Sequence, residues 1–179
     1  MTKNKILTHS YTSPCGEMLL ASFEHRLCMC DWVKSEPVTA NLLRLQSSLQ
    51  ADVLTGIDAV IDRTCRQLDA YFTQPAAGFD VPFLLIGTPF QQQVWRSLAT
   101  IPYGTTISYG RQAELLGCPR AVRAVAAANG RNPLSIILPC HRVIGSNGKL
   151  TGYAGGLEIK QWLLAWEEKQ SGRKNNTDD

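Results

Sequence analysis

Cys140 and His141 are the residues of this chain best suited to covalent chemistry, because they stand side by side at the end of the apolar stretch 134–138. A thiolate attacks carbon far better than a thiol does, and a positioned imidazole can remove the thiol proton. Neighbours on an extended strand point to opposite faces, so the two cooperate only if the chain turns there or a water bridges them. Glu167 is the best carboxylate of the C-terminal segment to orient the imidazole. The pair therefore indicates a cysteine nucleophile, the alternative being an inert buried cysteine beside a surface histidine.

The composition is that of an ordinary folded protein. The chain has 179 residues, 44% of them hydrophobic, which is enough for one average domain or two small ones. Its start carries positive charge but no signal-peptide core, and no stretch is apolar for long enough to span a membrane. The six cysteines form no Cys-x-x-Cys pair, so a disulfide framework is not expected. We expect a soluble, cytoplasmic monomer.

Possible metal ligands are present in the N-terminal half, but their spacing is wrong for a metal site. No standard zinc pattern accommodates them, and no Gly-x-Gly-x-x-Gly follows a strand in this chain. The sequence therefore predicts neither a metal nor any other cofactor. The residues concerned are His9, Cys15, His25, Cys28 and Cys30.

Positive charge is concentrated in the half that contains Cys140. Residues 1–85 have 7 Lys+Arg and 9 Asp+Glu, whereas residues 86–170 have 9 and 4, so their net charges are −2 and +5. A positive surface is what phosphate binding needs. The bias is modest, since a sequence pI of about 8.6 is below the value of ~9 typical of strongly basic nucleic-acid modules.

The N-terminal part, residues 1–87, is predicted to be a small sheet followed by helices, an α/β domain with a linker. Short alternating or β-branched runs separated by turn residues predict two β-hairpins, and apolar residues at helical spacing follow them. The predicted elements are strands over 6–12, 18–23 and 27–33, helices over 40–49 and 57–72, and a final strand and linker over 79–87.

The second part, residues 88–170, is predicted to be mostly helical, and the polar residues 171–179 to be a disordered tail. Thr88 and Pro89 are typical of a helix start. Helices over 109–116 and 120–128, joined by a tight glycine turn, have the layout of a helix-turn-helix. The second of these is rich in alanine and carries Arg123, which suits close approach to a DNA groove with little sequence choice; a packing helix inside a core is the alternative.

The stretch from Thr88 to Glu167 resembles the active-site domain of the O6-alkylguanine-DNA alkyltransferases. This resemblance implies direct repair of O6-alkylguanine in double-stranded DNA, and it leaves open whether O4-alkylthymine is also repaired. It implies a ribonuclease-H-like N-terminal fold and a winged-helix-like C-terminal domain. The matching segments are Thr88 to Trp95, Ile101 to Gly104, Ile107 to Gly110, Ala121 to Val125, Asn129 to Pro133, Pro139 to Val143, and Gly152 to Gly156.

The resemblance also implies a role for each matching residue. Arg123 would fill the stack in place of a flipped base, with an ordinary phosphate contact or a surface salt bridge as the alternative. Tyr109 would rotate the 3′ phosphate and donate to the guanine. Asn132 would be a hinge between the recognition helix and the active-site segment, or a simple Asx turn before proline. The pocket would be lined by Val143, Tyr153, Ala154 and Gly155, with alanine at position 154 where many relatives have serine.

The implied mechanism is a single displacement at carbon. Glu167 orients His141, His141 takes the proton of Cys140 through a water, and the thiolate removes the alkyl group while Tyr109 helps the guanine to leave. The thioether product is a poor leaving group, so each molecule acts once and no cofactor is needed. A Cys-His hydrolase and a non-catalytic DNA-damage sensor are the two rival functions.

Overall fold

Three strands at the start of the chain form two antiparallel hairpins, as the sequence predicts. The computed structural model describes residues 4–34 and 36–172, and β1 (Asn4–Ser13), β2 (Gly16–Phe23) and β3 (Arg26–Trp32) lie in the order β3-β2-β1. Glu24 and His25 both have positive φ, 46° and 61°, in the two-residue turn between β2 and β3. Such a turn matches the right-handed twist of the strands that it joins.

A fourth strand completes the sheet at a place that the sequence analysis did not predict. This strand, β4 (Ala51–Thr55), pairs in parallel with β1 at the edge of the sheet. The predicted final strand in 79–87 is wrong, because Phe83 makes only an isolated bridge to Leu27. Pro82 accepts a hydrogen bond from Leu27 but has no N–H to donate, which prevents a regular ladder there.

The sheet is packed on both faces. Helix α1 (Glu36–Leu49) covers one face, where Val38 and Leu45 meet residues such as Ile6 and Met29. Helix α2 (Ala59–Tyr71) covers the other, and its core continues without a break into the C-terminal part. The helices predicted over 40–49 and 57–72 are confirmed to within a few residues.

The C-terminal part is helical, as predicted. Helix α3 (Pro89–Leu98) begins with a capping box in which Thr88 and Gln91 bond each other's backbone N–H groups. Helix α4 (Tyr109–Leu115) is capped by the side chain of Ser108. The remaining elements are α5 (Val122–Asn129), the short parallel strands β5 (Ile107–Ser108) and β6 (Val143–Ile144), and α6 (Leu157–Gln170).

Helices α4 and α5 form the predicted helix-turn-helix. Gln112 of α4 and Asn129 of α5 bond each other through their side chains, and the indole N–H of Trp95 donates to the carbonyl of Ala128. This leaves the face of α5 that carries Arg123 and its neighbouring alanines exposed. A packing helix buried in a core is therefore wrong for α5.

Strand β3 also holds the C-terminal part in place. The Cys30 N–H donates to the Pro133 carbonyl at 2.8 Å, and the Ser135 N–H donates to the Cys30 carbonyl at 2.8 Å. The segment that leads to Cys140 is thus anchored on the edge of the N-terminal sheet. In the part of the chain that the structure describes, no helix is long and apolar enough to cross a membrane. Most of the predicted disordered tail, from residue 173 onward, lies outside the described residues.

Candidate active site

The backbone turns at Cys140, so the opposite orientation of neighbouring side chains on an extended strand does not apply to Cys140 and His141. The Cys140 N–H donates to the Leu138 carbonyl at 2.8 Å, and residues Cys140–Arg142 form a single 3₁₀ turn. Just before it, Ile136 has φ 70°, a left-handed conformation that is strained for a β-branched residue. The apolar stretch is therefore a tightly folded loop in which Cys140 and His141 sit on one turn.

Asn132 fixes the shape of this loop from inside. Its side-chain carbonyl accepts from the Leu134 N–H at 3.0 Å, which is an Asx turn, and its amide N–H₂ donates to the Leu138 carbonyl at 2.7 Å. Asn132 is buried, so both bonds are shielded from water. The two roles considered for this residue are thus compatible, because the same side chain makes the local turn and ties α5 to the reactive segment.

Glu167 is the centre of a buried hydrogen-bond cluster. Its Oε1 lies 2.7 Å from Nε2 of His141, and Arg142 donates to both carboxylate oxygens, with Nε 2.9 Å from Oε2 and Nη2 2.8 Å from Oε1. The Gly104 N–H and the Tyr71 hydroxyl complete the shell at 3.1 and 2.7 Å. Burial alone would raise the pKa of Glu167, but the hydrogen bonds and charges of His141 and Arg142 outweigh it and lower the pKa to about 2.

The Glu167 carboxylate determines which nitrogen of His141 carries the proton. An ionised carboxylate only accepts hydrogen bonds, so Nε2 must be protonated. Burial lowers the pKa of His141, which leaves the ring neutral at pH 7 with its lone pair on Nδ1. Nδ1 is buried and makes no hydrogen bond to any residue in 4–34 or 36–172. The arrangement presents a buried proton acceptor one residue away from the thiol.

Cys140 is almost completely buried and starts as a thiol. It is 7% exposed, and burial raises its pKa to about 11, although the Asn132 side chain and the positive charge of Lys160 favour the thiolate. A group with that pKa is deprotonated at neutral pH only by a base that acts during the reaction. His141 has the protonation state that such a base needs.

Lys160 is a site residue that the sequence analysis missed. Its ammonium group is buried and donates to the carbonyls of Val143 and Thr151, at 2.7 and 3.0 Å, and to the Tyr109 hydroxyl at 3.4 Å. Burial lowers its pKa. Lys160, Leu163 and Glu167 are the buried residues of α6, spaced by three and four, so a helical-face analysis of this segment could have found it.

The residues that the family resemblance implies for the pocket lie near Cys140 and Lys160, whereas Arg123 does not. Tyr109 begins α4, and its hydroxyl donates to the Thr151 carbonyl at 3.0 Å. Val143 is buried beside Lys160, and Tyr153, Ala154 and Gly155 are half-buried in the loop before α6. Arg123 lies apart, exposed on α5. Arg142 and Tyr71 were not predicted as partners of Glu167.

Comparisons with known proteins place both parts of the chain in one family. Residues 6–85 match the model for the ribonuclease-like domain of 6-O-methylguanine DNA methyltransferase, and residues 89–169 match that for its DNA binding domain.

Relatives and solved structures agree with these matches. A methylated-DNA–protein-cysteine methyltransferase of Methanosarcina mazei is 56% identical over 160 residues, 89% of this chain and 96% of that protein. One of Mycolicibacterium paratuberculosis is 58% identical over 105 residues, 59% of this chain and 64% of that protein. A crystal structure of Mycobacterium tuberculosis OGT in complex with DNA has a TM-score of 0.77 at 40% identity, covering 93% of this chain and 94% of that one.

Glu167→Gln tests how far the fold depends on the buried charge pair. The substitution keeps the side-chain shape but leaves the Arg142 guanidinium without a counter-charge, so we expect the free energy of unfolding to fall by about 3–5 kcal/mol. Urea denaturation measures this. The double variant Glu167→Gln/Arg142→Met should recover part of the loss, and Glu168→Gln on the same helix should change stability by less than about 0.5 kcal/mol.

The same variant changes the acid profile. The pKa of Glu167 is about 2 in the folded protein and about 4.3 in an unfolded chain. The stability that this carboxylate contributes is therefore complete above about pH 4.3 and is lost as the pH falls towards 2. Glu167→Gln should lack this component of acid destabilisation. Identical acid profiles in wild type and variant would contradict the assignment.

Proposed function

This chain belongs to the 6-O-methylguanine DNA methyltransferase family and repairs DNA by alkyl transfer to a cysteine, and we propose that Cys140 is that cysteine. The observation that carries the proposal is the 2.7 Å contact between His141 and Glu167, which prepares a neutral imidazole one residue from the thiol. The substrate would be O6-alkylguanine in double-stranded DNA, with O4-alkylthymine as a further class.

The proton of Cys140 would pass to Nδ1 of His141 through a bridging water. The Glu167 carboxylate keeps Nε2 protonated and stabilises the imidazolium that forms. The thiolate would then attack the alkyl carbon, so that the new C–S bond forms as the bond from carbon to O6 of the base breaks. The electron pair of the broken bond leaves with the base.

Tyr109 and Lys160 would stabilise the departing base. The Tyr109 hydroxyl can donate to a ring nitrogen of the guanine as negative charge develops there, and the Lys160 ammonium is 3.4 Å from that hydroxyl. A buried positive charge close to the donor favours the anionic leaving group. The base would leave neutral by taking a proton from the Tyr109 hydroxyl, which the Lys160 ammonium would replace, while His141 holds the proton lost by the thiol.

The substrate base would reach the thiol by rotating out of the duplex. A base inside the stack is out of reach of a buried side chain, and extruding it requires a few kcal/mol. The alanine-rich face of α5 can approach a groove closely, and Arg123 on that face would occupy the gap in the stack. The DNA complex of the M. tuberculosis protein supports DNA as the partner here.

The product would be a thioether on Cys140, so each molecule would act once. A thioether sulfur is a poor leaving group, and the charged residues around Cys140 have roles in forming the bond rather than in breaking it.

We further infer a cytoplasmic monomer with its domain boundary at residues 87 and 88. The six free cysteines suit a reducing compartment.

Cys140→Ser is expected to abolish alkyl transfer. Wild-type protein incubated with a duplex that contains one O6-methylguanine should gain one methylene per molecule, on the peptide that contains Cys140, as read by intact and peptide mass. The control variant Cys65→Ser, in which another free cysteine is replaced, should gain one methylene per molecule as the wild type does. Binding without any mass gain would indicate a damage sensor, and repeated substrate turnover would contradict single use.

His141→Gln tests the base through pH dependence. The lowered pKa of His141 keeps the imidazole neutral at neutral pH, so the wild-type single-turnover rate should stay level there and fall only as acid protonates the ring. The variant should be slower by about 10²–10⁴-fold at pH 7. Its rate should rise about tenfold per pH unit, because only the free thiolate of a group with a pKa of about 11 then reacts.

The control for this experiment is His25→Asn, in the β2–β3 turn, where asparagine tolerates the positive φ. It should have the wild-type pH profile. A His141→Gln profile parallel to that of the wild type would show that the imidazole has only a structural role.

Arg123→Ala separates base extrusion from chemistry. The rate of transfer from O6-methylguanine in a duplex should fall by about 10²-fold, since the few kcal/mol that extrusion requires are no longer offset. The rate with free O6-methylguanine, which needs no extrusion, should be unchanged. Arg131→Ala removes the same charge from a nearby exposed site and should have a smaller effect on the duplex. Equal losses with duplex and free base would overturn the assigned role.

A further inference from the structure

The indole of Trp32, at the end of β3, supports the loop that carries Tyr153 and Gly155. Its Nε1–H donates to the Tyr153 hydroxyl at 3.2 Å, and the two ring centroids are 6.4 Å apart. Trp32 is 1% exposed, so its ring has little freedom to move. The ring therefore fixes the Tyr153 side chain from the N-terminal part of the chain.

Gly155 lies directly against the same indole. A Cβ atom at this position would be 2.5 Å from Cδ1 of Trp32, well inside van der Waals contact. The loop can pack this closely only because residue 155 has no side chain. The indole of Trp32 therefore limits how far the backbone of this loop can move towards the end of β3.

Asp31 ties the end of β3 to the reactive segment. Its Oδ1 accepts from the Trp32 N–H at 2.9 Å and from the Ser135 hydroxyl at 3.4 Å, and its Oδ2 accepts from the Asn41 side chain at 3.2 Å. Together with the backbone bonds of Cys30 to residues 133 and 135, these contacts hold Trp32 in register with the loop that leads to Cys140. The end of β3 thus contacts both the loop that carries Tyr153 and Gly155 and the segment that leads to Cys140.

The loop also borders open space. A groove of about 490 Å³ is lined by Trp32, Gly155 and Gly156 and by residues of the β1–β2 turn. If the indole were smaller, the loop could move into the space that the ring leaves. Nothing else that the structure describes on that side of Gly155 lies as close to it as Trp32 does.

Resting on the proposed function, we propose that Trp32 is a specificity-determining residue, which sets the width of the guanine pocket by supporting Tyr153 and Gly155 from behind. With the loop supported in this way, the pocket would favour small O6 substituents. A smaller side chain at position 32 lets the loop retreat, so bulky substituents such as benzyl gain access while methyl is held less well.

The test compares transfer rates from duplexes with O6-methylguanine and with O6-benzylguanine. Trp32→Leu should raise the benzyl-to-methyl rate ratio by about tenfold, the scale on which a pocket discriminates small differences in apolar volume. Trp32→Phe removes only the N–H donor and part of the ring, so its ratio should change less and in the same direction. Trp162→Phe, which alters an indole on α6, should leave the ratio unchanged.

Two further measurements separate the outcomes. The alkylation rate of Cys140 by iodoacetamide should be the same in wild type and Trp32→Phe, which shows that the nucleophile is intact. Equal reductions with both substrates, and therefore an unchanged ratio, in Trp32→Leu and Trp32→Phe would overturn the proposal by showing a purely structural role. Absence of transfer in the wild type would instead overturn the proposed function.

Discussion

The buried carboxylate of Glu167 is the interaction on which the rest of the site depends. Four groups converge on it from separate parts of the chain: Tyr71 at the end of α2, Gly104 after α3, and His141 and Arg142 on the reactive turn. A buried carboxylate without a counter-charge would take up a proton, and a protonated acid could not hold His141 in the required tautomer. Arg142, whose charge is permanent, keeps the acid ionised. Burial and the positive charge of Arg142 together lower the pKa of His141 against the effect of Glu167, so that His141 remains neutral and can act as a base.

Burial of Cys140 creates a second constraint, which the Glu167 cluster resolves. Because the pKa of the thiol is about 11, its ionisation at pH 7 requires a free energy of about 5.5 kcal/mol. This protects the sulfur from incidental oxidation, because the reactive thiolate is almost absent at rest. In the proposed mechanism, removal of this proton has to be coupled to the arrival of the alkyl group. The orientation of Nδ1 in His141 is then as important as the thiol itself.

Sequence reasoning was strongest where the signal was local and weakest where it depended on distant partners. The Thr88 cap, the two hairpins and the helix-turn-helix follow from residues a few positions apart, and all are present. Strand β4 was missed because it is short and lies at the sheet edge, where most of its side chains are exposed and apolar alternation is weak. The contact of Tyr71 with Glu167 joins residues 96 positions apart, and no local pattern encodes it. Lys160 was overlooked because a lysine is expected at the surface, although its spacing from Glu167 places it on the buried face.

The dependence of the site on β3 gives the N-terminal sheet a role in supporting the C-terminal part, which holds the proposed nucleophile. Ile136 has a strained backbone, and a loop of this kind keeps its shape only when its surroundings fix it. The bonds from Cys30 to residues 133 and 135 supply that support from one side, and Asn132 supplies it from the other. The same rigidity would suit the proposed single transfer. A site that does not have to release an alkyl group from sulfur would need no route for water to the thioether, so its walls can be packed as closely as the contact between Gly155 and the indole shows.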